Sequence, residues 1–223
     1  MDIVWLGHSS FRIKGKDAAI VTDPFDPGMA GLKFPRVAAD IVTVSHGHAD
    51  HNNVARIDLP AGKAGGSPKV VSGAGEYEIK GVSIFGIPTF HDDKKGAERG
   101  SNTVYVMSID KITVCHLGDL GHKLSEEQGG EIGSVDVLLV PVGGIYSLDS
   151  THASEVVASL EPKVVIPMHY QIPGLSPEMF ASLEPVDNFI KELGIEPQKL
   201  DKYVINYGSL PEEMQLVVLE RKS

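Results

Sequence analysis

The segment Ser45–His51, with the sequence Ser-His-Gly-His-Ala-Asp-His, constrains this chain more than any other part of it. It places three histidines and one aspartate within six residues, directly after the apolar run Ile41–Val44. Side chains of this type repel one another when protonated, whereas neutral imidazoles and carboxylates are good zinc ligands. The pattern therefore predicts a metal-binding loop at the end of a buried strand. Its first two histidines would bind one ion, while Asp50 and His51 face a second.

Three further candidate ligands, His91, Asp119 and His169, each follow an apolar run elsewhere in the chain. A single histidine or aspartate in such a place is more often a turn residue. Together with the first cluster, however, they are typical of strand ends that converge on one site at the edge of a two-sheet fold. Glycines at positions 118 and 121 allow a tight turn around Asp119, so that its carboxylate can bridge two ions.

Hydrophobic periodicity predicts an α/β fold. The first part of the chain alternates short apolar segments with turns, which is typical of strands. These predicted strands are Ile3–Leu6, Ser10–Ile13, Ala18–Thr22, Ile41–Ser45, Lys69–Ser72, Tyr77–Ile79, Val82–Phe85, Thr103–Ser108 and Ile112–His116. In the later part of the chain, buried strands are predicted at Val135–Val140 and Val164–Pro167. Helices are predicted at Thr151–Leu160 and Val186–Leu193, and closing strands at Tyr203–Asn206 and Gln215–Leu219. We expect two packed sheets with helices outside, in a single α/β domain spanning residues 1–223.

Charge and composition narrow the class of partner. The net charge is −10, and no basic run is longer than Lys94-Lys95, so extended nucleic acid is not an expected partner. No apolar run approaches the ~18 residues of a membrane span, which argues against a membrane protein. The single cysteine, Cys115, excludes an intrachain disulfide framework and is compatible with a reducing compartment. We expect a cytoplasmic protein that acts on a small-molecule substrate.

The ligand pattern resembles that of the metallo-β-lactamase superfamily. The family signature His-x-His-x-Asp-His matches positions 46, 48, 50 and 51, and the later family positions match His91, Asp119 and His169 in order. The segments Trp5–Ser10 and Thr22–Pro24 resemble the opening of a smaller branch of Zn-dependent hydrolases. That branch is related to the L-ascorbate-6-phosphate lactonase and the N-acyl-phosphatidylethanolamine phospholipase D.

This resemblance implies a four-layer αβ/βα sandwich, the metallo-β-lactamase fold, with two divalent ions along one edge. The implied ligands are His46, His48 and His91 for one metal, Asp50, His51 and His169 for the other, and Asp119 for both. Asp23 is expected beneath the site as a support, with a simple Asp-Pro turn as an equal alternative. Zinc is the expected metal, and the ligand set also suits manganese or iron.

A site of this type implies a hydrolase. A metal-bridging hydroxide would attack an ester, lactone or phosphodiester of a small molecule, with Asp50 orienting the nucleophile. The leaving group needs a proton, for which His122, three residues after Asp119, is favoured over His8 and His152.

Two residues are candidates for substrate binding. His8 follows a strand end and would contact a metal-bound substrate. Arg99, in the polar loop after His91, would hold a phosphate or carboxylate. For both residues the alternative is an ordinary loop or turn position.

Two other functions stay open at this point. One is a ligand-binding or sensing domain that the metals stabilise without turnover. The other is an RNA-processing nuclease of the same superfamily, although no basic substrate-gripping extension is present. The oligomeric state is also open, as is the role of residues 171–184, where Pro173–Phe180 would form a lid or a subunit contact.

Overall fold

The computed structural model describes residues 1–61 and 66–222 and contains β-strands, α-helices and two single 3₁₀ turns at 54–56 and 207–209. The strands are β1 (Asp2–Gly7), β2 (Ser10–Lys14), β3 (Ala19–Thr22), β4 (Val37–Ala38), β5 (Ile41–Val44), β6 (Ile57–Asp58), β7 (Lys69–Ser72), β8 (Gly75–Ile79), β9 (Val82–Phe90), β10 (Ser101–Ile109), β11 (Ile112–His116), β12 (Val137–Pro141), β13 (Val164–Met168), β14 (Gln198–Leu200), β15 (Tyr203–Val204) and β16 (Gln215–Leu219). The helices are α1 (Pro27–Ala30), α2 (Glu126–Ile132), α3 (Ser150–Leu160), α4 (Pro177–Phe180) and α5 (Val186–Leu193). None of these helices combines the length and the apolar character needed to cross a bilayer.

The strands form two large sheets, which confirms the predicted α/β class. The first sheet has the order β15-β1-β2-β3-β5-β7 and the second the order β14-β16-β13-β12-β11-β10-β9-β8. Each sheet begins with antiparallel hairpins and continues with parallel strands. The β8–β9 and β10–β11 hairpins turn at Lys80-Gly81 and Asp110-Lys111, where both residues of each turn have positive φ, as tight two-residue hairpin turns require.

The main hydrophobic core lies between the two sheets. It combines inward-facing residues of the first sheet, such as Trp5 and Phe11, with residues of the second, such as Tyr105 and Val114. Strands β12 and β13 are buried along their whole length because helices cover their outer face. Helix α3 provides part of that cover through its apolar stripe, which packs into the same core.

The outer face of the first sheet is covered by short elements. Leu6, Val21 and Val42 point away from the main core and pack against the two-stranded pair β4–β6 in a second, smaller cluster. A third cluster joins α1 to α4 through Ala30, Leu32 and Phe180. The layer of cover is therefore thinner on this side than on the α3 side.

Helix α2 was not predicted from the sequence. Gly129 and Gly130 disfavour a helix there, because glycine loses more backbone entropy than alanine on ordering. A capping box nevertheless starts the helix: Ser125 Oγ accepts from the Gln128 N–H, and the Gln128 side chain accepts from the Ser125 N–H. Strand β9 also runs five residues beyond the predicted Phe85, as far as Phe90.

Strand direction explains where the functional side chains gather. Strands β1, β3 and β5 of the first sheet run in one direction, and β9, β11 and β13 of the second sheet share a direction among themselves. The candidate site residues follow the carboxyl ends of these six strands. Parallel strands place those ends at one edge of a sheet, so the loops that follow them meet over the same edge.

Candidate metal centre

The predicted ligands come together in one buried cluster at this edge. They lie on four loops, which follow β5, β9, β11 and β13. The cluster consists of His46, His48, Asp50, His51, His91, Asp119 and His169. His48 is the exposed member, whereas the remaining six are buried.

Asp119 lies at the centre of the cluster. Its Oδ2 is 3.2 Å from His51 Nε2, 3.3 Å from His91 Nε2 and 3.1 Å from His169 Nε2. A single carboxylate oxygen thus contacts one imidazole of the first predicted ligand set and two of the second. Asp119 therefore connects the two predicted ligand sets.

The remaining ligands divide into two groups around Asp119. In one group, ligand atoms of His46, His48 and His91 lie within 4.8 Å of one another. In the other group, ligand atoms of Asp50, His51 and His169 do so, with His8 as a fourth member. The division matches the two metal positions that the resemblance implies.

The ring nitrogens in the cluster have the free lone pairs that a metal needs. Nε2 of His46 is buried and has no hydrogen-bond partner within the described residues, and the buried Nε2 atoms of His51 and His169 approach Asp119 Oδ2 without forming a hydrogen bond. A buried polar atom without a partner costs free energy, so such atoms require an explanation. Coordination to zinc, manganese or iron provides one, and the His-and-carboxylate donor set suits each of these metals.

Asp23 supports the cluster from beneath and fixes which nitrogens are free. Its carboxylate accepts hydrogen bonds from the Ser45 N–H at 2.8 Å, from Ser45 Oγ, and from His51 Nδ1 at 3.0 Å. Because the Ser45 hydroxyl donates to Asp23, it must accept from His46 Nδ1, at 2.9 Å. These contacts use Nδ1 of both imidazoles, so a metal ion would be coordinated by Nε2. The structure places Asp23 where the resemblance implies a support.

Electrostatics in the cluster favour a bound cation. Burial opposes a charged His51, but the carboxylates of Asp119 and Asp50 outweigh it and raise the His51 pKa well above its ordinary value. Burial likewise opposes ionisation of Asp119, yet His169 and His51 hold its pKa well below the usual range. Three buried carboxylates, with Asp23 as the third, need positive charge nearby. Divalent ions would supply that charge.

The Asp119 loop is held by residues that the sequence did not single out. Asn102 Oδ1 accepts from the Asp119 N–H at 3.0 Å, and its Nδ2 donates to the Leu117 carbonyl at 2.9 Å. His116 accepts from the Gly118 N–H and donates through Nε2 to the Ser9 carbonyl of the opposite sheet. A Cβ at Gly118 would lie 2.3 Å from Asn102 Oδ1, so only glycine fits this approach. No pattern in the sequence marks Asn102, because it lies inside an ordinary strand.

His8 does not contact the pocket, contrary to the expectation that it binds substrate. Only 1% of its surface is exposed, and its ring lies tilted against that of His169, with 4.0 Å between centroids. Burial, assisted by the nearby His169, lowers the His8 pKa to about 4, so the ring is neutral at pH 7. Its Nε2–H then donates to Asp50 Oδ2 at 3.1 Å. His8 supports Asp50 from behind.

The structure does not bring His122 or His152 to the cluster. His122 Nε2 accepts from the Phe90 N–H, and its Nδ1–H donates to the Lys123 carbonyl. The ring lines a separate surface groove with Phe90 and Gln128. His152 is half exposed and contacts Asp149 Oδ1 at 2.8 Å, at the start of α3. Neither ring is placed to donate a proton over the cluster, because main-chain or capping contacts hold both elsewhere.

A pocket of about 330 Å³ opens over the cluster. Asp50, Asp119 and Arg99 are among the residues that line it. Apolar side chains, absent from the sequence prediction, complete the wall: Met29, Tyr146, Met179 and Phe180. The segment Pro173–Phe180 contributes to this wall through Met179 and Phe180. The Phe180 ring is also buried against His8, with 4.9 Å between ring centroids.

Asp92 shapes the loop that carries Arg99. Its two carboxylate oxygens accept four main-chain hydrogen bonds of 2.8–3.0 Å, from Lys94, Gly96, Glu98 and Arg99. Burial opposes ionisation of this carboxyl, but the four N–H groups lower its pKa to about 2. An ionised Asp92 thus holds the backbone that positions Arg99.

Comparison with known proteins agrees with this geometry. The model of the beta-lactamase superfamily domain matches residues 2–169. A UPF0173 metal-dependent hydrolase from Pelotomaculum thermopropionicum is 33% identical over 193 residues, covering 76% of this chain and 84% of the relative. A protein of the same name from Methanopyrus kandleri is 29% identical over 219 residues, covering 88% and 94%.

Among solved structures, a crystal structure from Thermotoga maritima is similar over 99% of both chains, with 38% identity and a TM-score of 0.79. That protein is named a candidate Zn-dependent hydrolase of the metallo-β-lactamase superfamily. The fold, the family match and the gathered ligand pattern agree with one another. This chain therefore belongs to the metallo-β-lactamase superfamily, among relatives that carry the name metal-dependent hydrolase.

Proposed function

We propose that this protein is a binuclear metal-dependent hydrolase that cleaves an ester, lactone or phosphodiester of a small molecule. The observation that carries the proposal is the position of Asp119 Oδ2, which is 3.1–3.3 Å from imidazoles of both ligand groups. One carboxylate oxygen between two sets of free ring nitrogens fits two ions better than one. Zinc is the first candidate, with manganese and iron as alternatives.

The residues divide into two holding sets and one shared ligand. His46, His48 and His91 would hold the first ion, and Asp50, His51 and His169 the second, with Asp119 on both. Metal ions held by these residues would supply a water with a pKa near neutrality and would polarise the carbonyl or phosphoryl oxygen of the substrate.

In this proposal, Asp50 orients the attacking water. Its Oδ2 is occupied by the His8 Nε2–H, while the carboxylate also lines the pocket. A second hydrogen bond, accepted by Oδ1, would align the water with the scissile bond. Burial opposes ionisation of Asp50, but His51 and His8 hold its pKa well below the usual range, so it is an acceptor at neutral pH.

The pocket fits a small substrate. Its volume of about 330 Å³ is close to the lower end of the usual range for small-molecule sites, ~300–1,000 Å³. The acidic chain adds no attraction for a polyanion, since its net charge is −10. A small-molecule substrate is therefore favoured over extended nucleic acid.

The first test is metal content and hydrolysis in the Asp119→Asn variant. We expect the parent protein to bind about two zinc or manganese ions per chain and to hydrolyse para-nitrophenyl esters or phosphodiesters. The variant should retain its fold by circular dichroism, bind less metal and lose at least ~100-fold in kcat, as removal of a key electrostatic group does elsewhere. Asp187→Asn, at an exposed position on α5, is the matched control and should behave like the parent.

Two results would contradict the proposal. A parent protein that binds a single ion under saturating metal would exclude the binuclear site. A parent that binds two ions but hydrolyses no ester, lactone or phosphodiester would favour a binding or sensing domain.

A further inference from the structure

Arg99 and Tyr146 form a pair on the wall of the pocket. The Arg99 guanidinium carbon lies over the Tyr146 ring, 5.6 Å from its centroid. Stacking of this type covers one face of the guanidinium and leaves the in-plane N–H groups free. Those groups are arranged as a fork that matches a carboxylate or a phosphate.

The Arg99 charge has no acidic partner of its own. Within residues 1–61 and 66–222, no carboxylate lies within salt-bridge distance of its guanidinium. The neighbouring Glu98 also lines the pocket, but it pairs with Lys94 four residues earlier. Arg99 is the sole lysine or arginine among the described residues that line this pocket. The pocket thus contains one cationic side chain that is free to bind an anion.

Tyr146 is held in place by a hydrogen bond to helix α4 and by the conformation of its loop. Its hydroxyl donates to the Met179 carbonyl at 2.7 Å, which ties the loop before α3 to helix α4. The preceding residue, Ile145, has φ of 60°, a left-handed conformation that a β-branched residue rarely adopts. Gly143 approaches the His169 carbonyl so closely that a Cβ would lie 2.0 Å from that oxygen. Strain of this kind persists where the surroundings impose it, and it often marks functional sites.

The rest of the wall is apolar. Met29 and Met179 contribute flexible thioether side chains, and Met179 is 38% exposed. Such side chains give shape without a directed hydrogen bond, so they adapt to several apolar groups. Recognition by direction and charge therefore depends on Arg99 at this wall and on the metal cluster at the base.

We propose that the substrate is a small anion: an ester, lactone or phosphodiester that carries, besides the bond to be cleaved, a carboxylate or phosphate bound by Arg99. Tyr146 is the positioning residue that holds Arg99 in the pocket. The inference rests on the hydrolase function proposed above. In the reaction, water adds across the C–O or P–O bond: its hydroxyl goes to the acyl carbon or phosphorus and its proton to the leaving oxygen.

The test compares substrates that differ only in the second anion. The neutral substrate is para-nitrophenyl valerate, and the carboxylate substrate is mono-para-nitrophenyl glutarate, in which a carboxylate replaces the terminal methyl group. A third substrate, para-nitrophenyl phosphonobutyrate, distinguishes a phosphate-like anion from a carboxylate. We expect the metal-loaded parent to prefer at least one anionic ester by about tenfold or more in kcat/KM, mainly through KM.

Variants then assign the preference to the pair. Arg99→Met should abolish the preference, because it lowers kcat/KM for the anionic esters far more than for the neutral ester. Tyr146→Leu should lower the preference as well, whereas Tyr146→Phe, which keeps the ring under Arg99, should retain most of it. The double variant Arg99→Met/Tyr146→Leu should be no worse than Arg99→Met alone, because Tyr146 acts through Arg99. Arg36→Met and Tyr207→Leu, at exposed positions outside the pocket, are the matched controls.

The outcomes separate this inference from the hydrolase proposal. If the metal-loaded parent cleaves none of the three esters, no lactone and no phosphodiester, the hydrolase proposal fails. If the parent cleaves neutral and anionic esters equally, the hydrolase proposal stands and the anion site is wrong. If the preference survives in Arg99→Met, the anion binds elsewhere, and equal preference in Tyr146→Leu and the parent would remove Tyr146 from the positioning role.

Discussion

The metal cluster and the pocket wall above it are built in different ways. Cluster residues are almost all buried, and several are fixed by hydrogen bonds to buried neighbours, as His51 is by Asp23 and Asp50 by His8. Wall residues such as Arg99 and Tyr146 are partly buried and lie on loops. This fold therefore holds the metal cluster in a buried network of contacts and leaves substrate recognition to more adaptable side chains. The same division is general, because binding residues concentrate on loops that a rigid scaffold positions.

The substitution with the largest expected effect removes Asp23, the support beneath the cluster. Asp23→Ala removes the acceptor for His51 Nδ1 and for the Ser45 N–H and hydroxyl, all of them buried. Loss of a buried charged partner costs about 3–5 kcal/mol. We expect the free energy of unfolding to fall by that amount in urea titrations, and zinc affinity to fall about 10- to 100-fold. Unchanged zinc affinity in a folded Asp23→Ala protein would contradict the supporting role.

A substitution with a smaller expected effect removes Asn102, which holds the Asp119 loop. Asn102→Ala leaves the Asp119 N–H and the Leu117 carbonyl without their side-chain partner in a buried site. An unsatisfied buried group costs about 1–3 kcal/mol. We expect a comparable loss of unfolding free energy and a fall in kcat larger than the change in KM, because Asp119 is displaced. Asn188→Ala, at an exposed position on α5, is the control. A variant with parent kcat would show that Asn102 serves stability alone.

The substitution with the smallest expected effect changes Asp92, in the loop that carries Arg99 on the pocket wall. Asp92→Asn retains the side-chain shape but loses the charge that accepts four main-chain N–H groups. The Arg99 loop should then become more mobile, with faster amide hydrogen exchange at Gly96, Glu98 and Arg99. We expect KM for the anionic ester to rise about threefold, with kcat and metal content close to those of the parent. A change in metal content instead would place Asp92 with the cluster, through its neighbour His91.

Sequence reasoning predicted the cluster far better than the wall. The His-x-His-x-Asp-His segment and three later residues follow strands with clear apolar patterns, so both the strands and the ligands could be located. Helix α2 was missed because its two glycines outweigh its capping box in any propensity argument. His122 was favoured as a proton donor from its nearness to Asp119 along the chain, yet the Phe90 N–H and the Lys123 carbonyl hold it outside the pocket.

The sequence by itself determined which side chains are available to bind metal and which strand ends carry them, because ligand chemistry and strand periodicity are local properties. Only the tertiary structure decided that His8 is buried behind Asp50, that Asn102 holds the Asp119 loop, and that Tyr146 lies beneath Arg99. These contacts join residues from different strands and loops, and the hydrogen bonds from His8 and Asn102 span 42 and 17 positions of the chain. Packing between the two sheets and the path of each loop set such contacts, and no local pattern records them.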